Sequence, residues 1–143
     1  MSNTSNLRGI ILNMQDSIFT KIINGEIPCH KVYEDDRVIA FLDLYPLNPG
    51  HTLVIPKHQI DHVWDLSDED YQYLWEVVKL VAKRLKVVLE PVRVGVLVEG
   101  FGVPHAHIHL VPIDEGADLK KIQDLSVEPD HTSLASMADR LKF

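Results

Sequence analysis

Between residues 105 and 112 the chain reads His-Ala-His-Ile-His-Leu-Val-Pro, with histidine at every second position and an apolar residue after each one. Successive side chains of a β-strand point to opposite faces, so a strand here sets His105, His107 and His109 on one face and Ala106, Ile108 and Leu110 on the other. One face is then free for chemistry and the other packs into a core. Pro112 has no backbone N–H to give to a ladder, which predicts that the strand ends there.

Three imidazoles in a row admit three readings. The first is a polar sheet face or histidine tract, although such tracts do not interleave apolar residues so regularly. The second is a metal site. The outer histidines of a straight strand lie about 13 Å apart at roughly 3.3 Å per residue, so one zinc would need ligands from elsewhere, and His51 and His58 are candidates. The third is nucleophilic catalysis, in which one imidazole attacks while its neighbours orient it, hold a phosphate or move a proton.

The remaining chain supplies a frame for such a strand. Asp16 or Ser17 caps a short helix running to Ile23, which Asn24-Gly25 stops; its Phe19, Ile22 and Ile23 form an apolar side suited to core packing. His30 to Glu34 and Arg37 to Leu42 read as strands joined at Asp35-Asp36. Asp43 precedes the Pro- and Gly-rich stretch from Tyr45 to Gly50, where an aspartate ordinarily serves as a solvated cap or Asx-turn residue. His51 to Pro56 is a strand of buried type, followed by His58 and His62 in an exposed loop. Ser67 and Asp70 resemble a capping box opening a helix of roughly twenty residues, on which Tyr71, Leu74, Trp75, Val78, Ala82 and Leu85 share a face for core or dimer packing. Pro91 separates it from a strand over Val92 to Val98, expected to pair with the histidine strand across Gly100-Phe101-Gly102. A charged loop and a short helix over Thr132 to Leu141 close the chain.

Length and charge narrow the function. The 143 residues suit one domain with a sizeable core. No apolar run reaches the ~18 residues needed to span a bilayer, and the N-terminal Ile10-Ile11-Leu12 is too short for a secretory signal, so the expected location is cytoplasmic. Cys29 is the only cysteine, which excludes an internal disulfide or a CxxC metal site and reads as a small buried or edge residue. A formal net charge of −7 argues against a nucleic-acid polymer but leaves room for a small nucleotide held by a few histidines and backbone N–H groups.

Five further blocks accompany the triad in order: Ser17 to Ile23, Gly25 to Pro28, Val32 to Asp36, Ala40 to Leu44 and Gly50 to Lys57. Together, over residues 16–112, they resemble the histidine-triad (HIT) family, most closely its Hint-like branch. The resemblance implies an α+β fold, an antiparallel sheet of about five strands with one long and one short helix. It places a HIT domain at 16–112 and implies a homodimer whose two sheets run on continuously; residues 1–15, a mix of Ser and Asn with a brief apolar patch, read as a loosely ordered extension, and 113–143 as a tail.

By the same resemblance the ligand is a purine nucleotide and the reaction is hydrolysis or transfer at the α-phosphate of a nucleoside phosphoramidate or dinucleoside polyphosphate. His107 is the nucleophile that forms a nucleotidyl-histidine intermediate, with its Nδ1–H donated to the His105 carbonyl. His109 and His51 lie against the phosphate oxygens or leaving group, and His105 supports the site. Asp43 accepts from both ribose hydroxyls, Phe19, Ile22, Phe41 and Leu53 hold the base, and the N–H groups of Gly102 and Val103 meet the phosphate. No cofactor and no metal are implied.

Two departures from the family pattern bear on this. Where many bacterial relatives carry a zinc-binding CxxC, this chain has Ser17 and Thr20, so that zinc is expected to be absent. The loop from Val98 to His105 is shorter than usual and lacks the family's Asn, Gln and Ser donors. Two competing readings follow: a nucleotide-binding protein with little turnover, and a metal-dependent hydrolase using the histidines.

Overall fold

The computed structural model describes residues 15–143, so the extension expected over 1–15 lies, except for Gln15, outside the described residues. In chain order the elements are α1 (Ile18–Ile23), β1 (Lys31–Glu34), β2 (Val38–Leu42), β3 (Thr52–Pro56), α2 (Asp68–Leu89), β4 (Arg93–Leu97), β5 (Ile108–Ile113) and α3 (His131–Leu141), with short 3-10 turns at Val63–Asp65 and Gly116–Lys120. The strands form one antiparallel sheet in the order β1-β2-β3-β5-β4. This is the α+β architecture expected from the sequence, and no described helix is long and apolar enough to cross a membrane.

The sheet has a core on each face, which explains why β2 and β3 read as unbroken apolar runs rather than as alternations. On one face Val38, Ala40, Leu42, Val54, Ile108 and Leu110 meet the long helix α2 and the C-terminal helix α3. On the other, Ile39, Phe41, Leu53 and Ile55 form a smaller cluster with Phe19 of α1. The expected face separation at the triad holds: Ala106, Ile108 and Leu110 join the larger core, while His105 and His107 lie against Phe19.

Capping chemistry sets the helix boundaries. Ser17 Oγ accepts from Thr20 N–H at 3.0 Å, and Asn24 ends α1 before Gly25 turns the chain at φ 78°. Ser67 Oγ accepts from Asp70 N–H at 3.1 Å, but the expected capping box is only half formed because the Asp70 carboxylate pairs with Arg37 at 2.9 Å. The buried face of α2 comprises Leu74, Val77, Val78, Val81 and Leu85, rotated away from Trp75 and Ala82, which are half-buried.

Two expectations need correction. Pro112 does not end its strand; β5 continues through Ile113, pairing Val94 with Pro112. Its missing N–H is tolerated because the β3 ladder stops at the Thr52–Leu110 pair, leaving only β4 alongside. Nor do all three histidines lie in the paired strand. The ladder begins at Ile108, and the segment before it is held by Ala106 N–H on the Ile60 carbonyl at 2.6 Å and by the His105 ring on the Pro56 carbonyl at 2.7 Å.

The tail is built into the domain. Leu134, Ala138 and Leu141 of α3 lie in the larger core, and Arg84 of α2 donates Nε to the Leu141 carbonyl at 3.0 Å. At the opposite edge, β4 has one side unpaired among the described residues and exposes Val96, flanked by exposed Val92 and Val98.

Candidate active site

The turn between β2 and β3 and the approach to β5 bring the titratable groups together. Gly50 makes the turn at φ 92°, where an added Cβ would sit 2.5 Å from Leu89 Cδ1, so the chain enters β3 with His51 already buried. Asp43 leaves β2 with its N–H on the His51 carbonyl at 2.9 Å. Its Oδ1 accepts from Tyr45 N–H at 2.8 Å, an Asx-turn contact, and from Gln123 Nε2 at 2.9 Å. Its Oδ2 lies 3.7 Å from His51 Nε2.

Backbone groups determine which ring nitrogens carry protons. A carbonyl can only accept, so the 2.7 Å contact between His107 Nδ1 and the His105 carbonyl puts a proton on Nδ1, and in the neutral ring the lone pair is then on Nε2. A backbone N–H can only donate. Leu47 N–H reaches His51 Nδ1 at 3.1 Å, so His51 carries its proton on Nε2 and donates it to His109 Nδ1 at 2.9 Å. His109 therefore keeps its proton on Nε2. By the same logic His105 donates Nε2–H to the Pro56 carbonyl at 2.7 Å and accepts from the Ser17 hydroxyl at 2.7 Å.

Burial favours the neutral form of His51, His105 and His109. It is the largest cause lowering the pKa of His51, against an opposing pull from Asp43, and of His105, where the Pro56 bond opposes it. Burial, then the neighbouring His51 and His107, brings His109 down to about 3. A histidine whose folded pKa is depressed stabilises the fold fully above its unfolded value near 6.5, and that contribution is lost as pH falls towards the folded value. Stability measured by urea unfolding is therefore expected to decline from about pH 6.5 to about pH 5, by at most ~1.4 kcal/mol per pH unit for each ring held neutral. A flat profile there would show that these rings are charged in the folded protein.

Beside the histidines lies a cavity of about 330 Å³. Phe19, Ile22, Phe41 and Leu53 line it, with Asp43, Gly102, Val103, His107 and His109, so nine of the residues singled out from the sequence meet at one place. His51 and His105 do not line it. His51 stands behind His109, and His105 stands behind His107 among Ser17, Thr20 and Pro56. The cavity also contains Ile27, Pro28, Tyr45, Glu99, Gln123 and Leu125, which sequence reasoning did not single out. Gln123 and Leu125 come from a charged loop with no periodicity or motif, so no local signal marks them.

The positions of the absent CxxC form a hydrogen-bonded cluster. Ser17 Oγ bonds the His105 ring, Thr20 Oγ1 donates to Gln59 Oε1 at 2.6 Å, and Ser17 N–H donates to the same oxygen at 2.9 Å. Hydroxyls and an amide are poor zinc ligands. A second group, Asp43, His51 and His109, has one ligand atom each within 4.8 Å of the others. It fits a metal poorly, because a cation there would displace the His51 Nε2 proton onto Nδ1, where Leu47 N–H already points.

The pairing of rings has a definite chemical capacity. His107 offers an unprotonated Nε2, and His109, with ring centroids 5.0 Å away, offers an N–H donor. An imidazole lone pair and an N–H donor thus stand side by side against an apolar cavity that also holds a carboxylate, an arrangement suited to nucleophilic attack with proton donation.

Comparison with known proteins identifies the family. The model of the HIT domain matches residues 24–116. An uncharacterised HIT-like protein of Borreliella burgdorferi is 37% identical over 133 residues, covering 87% of this chain and 96% of that protein. The adenosine 5′-monophosphoramidase of Schizosaccharomyces pombe is 38% identical over 100 residues, covering 66% and 72%. The crystal structure of a Hit-like protein from Bartonella henselae superposes with a TM-score of 0.79 at 33% identity, covering 89% of this chain and 94% of that one.

Proposed function

Because the chain belongs to the HIT-domain family, we propose that it is a purine nucleotide hydrolase or transferase acting at the α-phosphate of nucleoside phosphoramidates or dinucleoside polyphosphates. The observation that carries the reading is the tautomer pair at the cavity wall, an unprotonated His107 Nε2 beside a protonated His109 Nε2. The base packs among Phe19, Ile22, Phe41 and Leu53, and Asp43 accepts from the ribose. In the first step His107 Nε2 forms a bond to the α-phosphorus while the bond to the leaving group breaks, and His109 Nε2–H donates towards the departing atom or a phosphate oxygen. Water then attacks the nucleotidyl-histidine, releasing the nucleoside monophosphate and restoring the ring.

His51 and His105 act through their neighbours, His51 by supplying the proton that sets the His109 tautomer and His105 by offering its carbonyl to His107. The N–H groups of Gly102 and Val103 have no partner among the described residues and are free to meet the phosphate. A homodimer belongs to the same reading, supported by the unpaired apolar edge of β4.

A second reading rests on the cavity's charge. Among the described residues no Lys or Arg lines it, and the short loop before the triad contributes the carboxylate of Glu99. A polyphosphate leaving group meets no cation among the described residues there, which favours amine leaving groups or binding with slow turnover. The test is hydrolysis of adenosine 5′-phosphoramidate and diadenosine polyphosphates, alongside AMP binding, with chelator present. Turnover that chelator leaves intact is the expected result, together with less than stoichiometric zinc in the purified protein. Chelator-sensitive turnover restored by zinc would overturn the metal-free mechanism. Tight AMP binding without turnover would favour the binding protein.

A further inference from the structure

We propose that Gln123, delivered by the segment that follows the Gly116–Lys120 turn, is a sugar-recognition residue that shares with Asp43 the reading of the two ribose hydroxyls. The inference rests on the nucleotide reading above and goes beyond it in assigning a residue outside the triad and outside the matched family region, which ends at 116.

The argument begins with how Gln123 is held. Its Nε2 lies 2.9 Å from Asp43 Oδ1 and 2.8 Å from the Tyr45 carbonyl. Both partners can only accept, so the amide is oriented with its NH2 towards them and both hydrogens are used. Its Oε1 receives no hydrogen bond from any described group, although the side chain lines the cavity. The segment is positioned from both sides: Lys121 Nζ bonds Asn48 Oδ1 at 2.6 Å, and Leu125 lines the same cavity.

Asp43 is correspondingly half committed. Its Oδ1 already takes the Tyr45 N–H and the Gln123 N–H, whereas Oδ2, 3.7 Å from His51 Nε2, receives no hydrogen bond from any described group. Two vicinal hydroxyls ask for two acceptors. Asp43 Oδ2 and Gln123 Oε1 belong to side chains that are hydrogen-bonded to each other and line one cavity, and together they supply that pair. An Asp43 acting alone would meet both hydroxyls with one uncommitted oxygen.

The test is calorimetric binding of AMP, 2′-deoxy-AMP and 3′-deoxy-AMP to the full chain and to Gln123→Leu, a substitution close in size that removes the amide. The wild type is expected to bind AMP about tenfold tighter than either deoxynucleotide, the scale of one hydrogen bond to a group otherwise left unmatched. In Gln123→Leu, AMP and one of the deoxynucleotides should converge to equal affinity while the other deoxynucleotide keeps its deficit. The ratio of affinities does not depend on the fraction folded, so a less stable variant still reports on it. Equal weakening of all three ligands would reduce Gln123 to a support for Asp43 and overturn the proposal. Tighter AMP binding by the variant would also overturn it, by making Gln123 a competitor for the carboxylate. Wild-type protein that binds no AMP would instead remove the nucleotide reading itself.

Discussion

His107→Ala is expected to lower turnover of adenosine 5′-phosphoramidate by at least about 10⁴-fold, because in the proposed mechanism it removes the nucleophile and with it the covalent route, leaving only binding and electrostatics. AMP binding should persist within a few-fold, since the residues assigned to the base and sugar, Phe19, Phe41, Leu53 and Asp43, are separate from the ring that is removed. The two readouts together identify the role. A residue needed only for packing would weaken binding and chemistry together, and a variant with near-normal turnover would show that His107 does not attack. His109→Ala offers a graded comparison. Its loss removes a donor rather than the attacking atom, and about 10²–10³-fold is the expected scale.

Leu141→Ala is expected to destabilise the protein by about 3 kcal/mol, the usual scale for emptying a leucine site that cannot collapse. Leu141 is fully buried and joins Leu134 and Ala138 in the core beneath α2. At roughly 3 °C per kcal/mol for a chain of this size, the melting temperature should fall by about 10 °C. Turnover per folded molecule should be unchanged, because α3 lies on the sheet face opposite the histidines. An unaltered melting temperature would mean that the C-terminal helix is not part of the cooperative core.

Local pattern and distant contact contributed differently to these conclusions. The cap of α1, the hairpin at Asp35-Asp36 and the long helix were legible because each is written within a few adjacent residues: Ser17 against Thr20, a turn dipeptide, a repeat of apolar positions. The buried face of α2 was read one step out of place, since Trp75 counts as apolar in sequence but Val77 and Val81 occupy the centre of the packed face. Pro112 misled for a similar reason. A proline is compatible with a strand wherever the neighbouring strand has already ended, and only the register shows that β3 has.

The alternation from His105 to Leu110 was enough to separate a chemical face from a core face, because side-chain direction in an extended chain depends on parity alone. With the family blocks it also picked out nine residues that line one cavity. Tertiary structure decided the rest. The proton on His51 is placed by Leu47 N–H and hydrogen-bonded to a ring 58 residues away, and the proton on His105 is placed by a carbonyl 49 residues away. Gln123 reaches Asp43 across 80 residues. Such contacts depend on where the folded backbone brings single donors and acceptors, and neither residue type nor spacing carries that information.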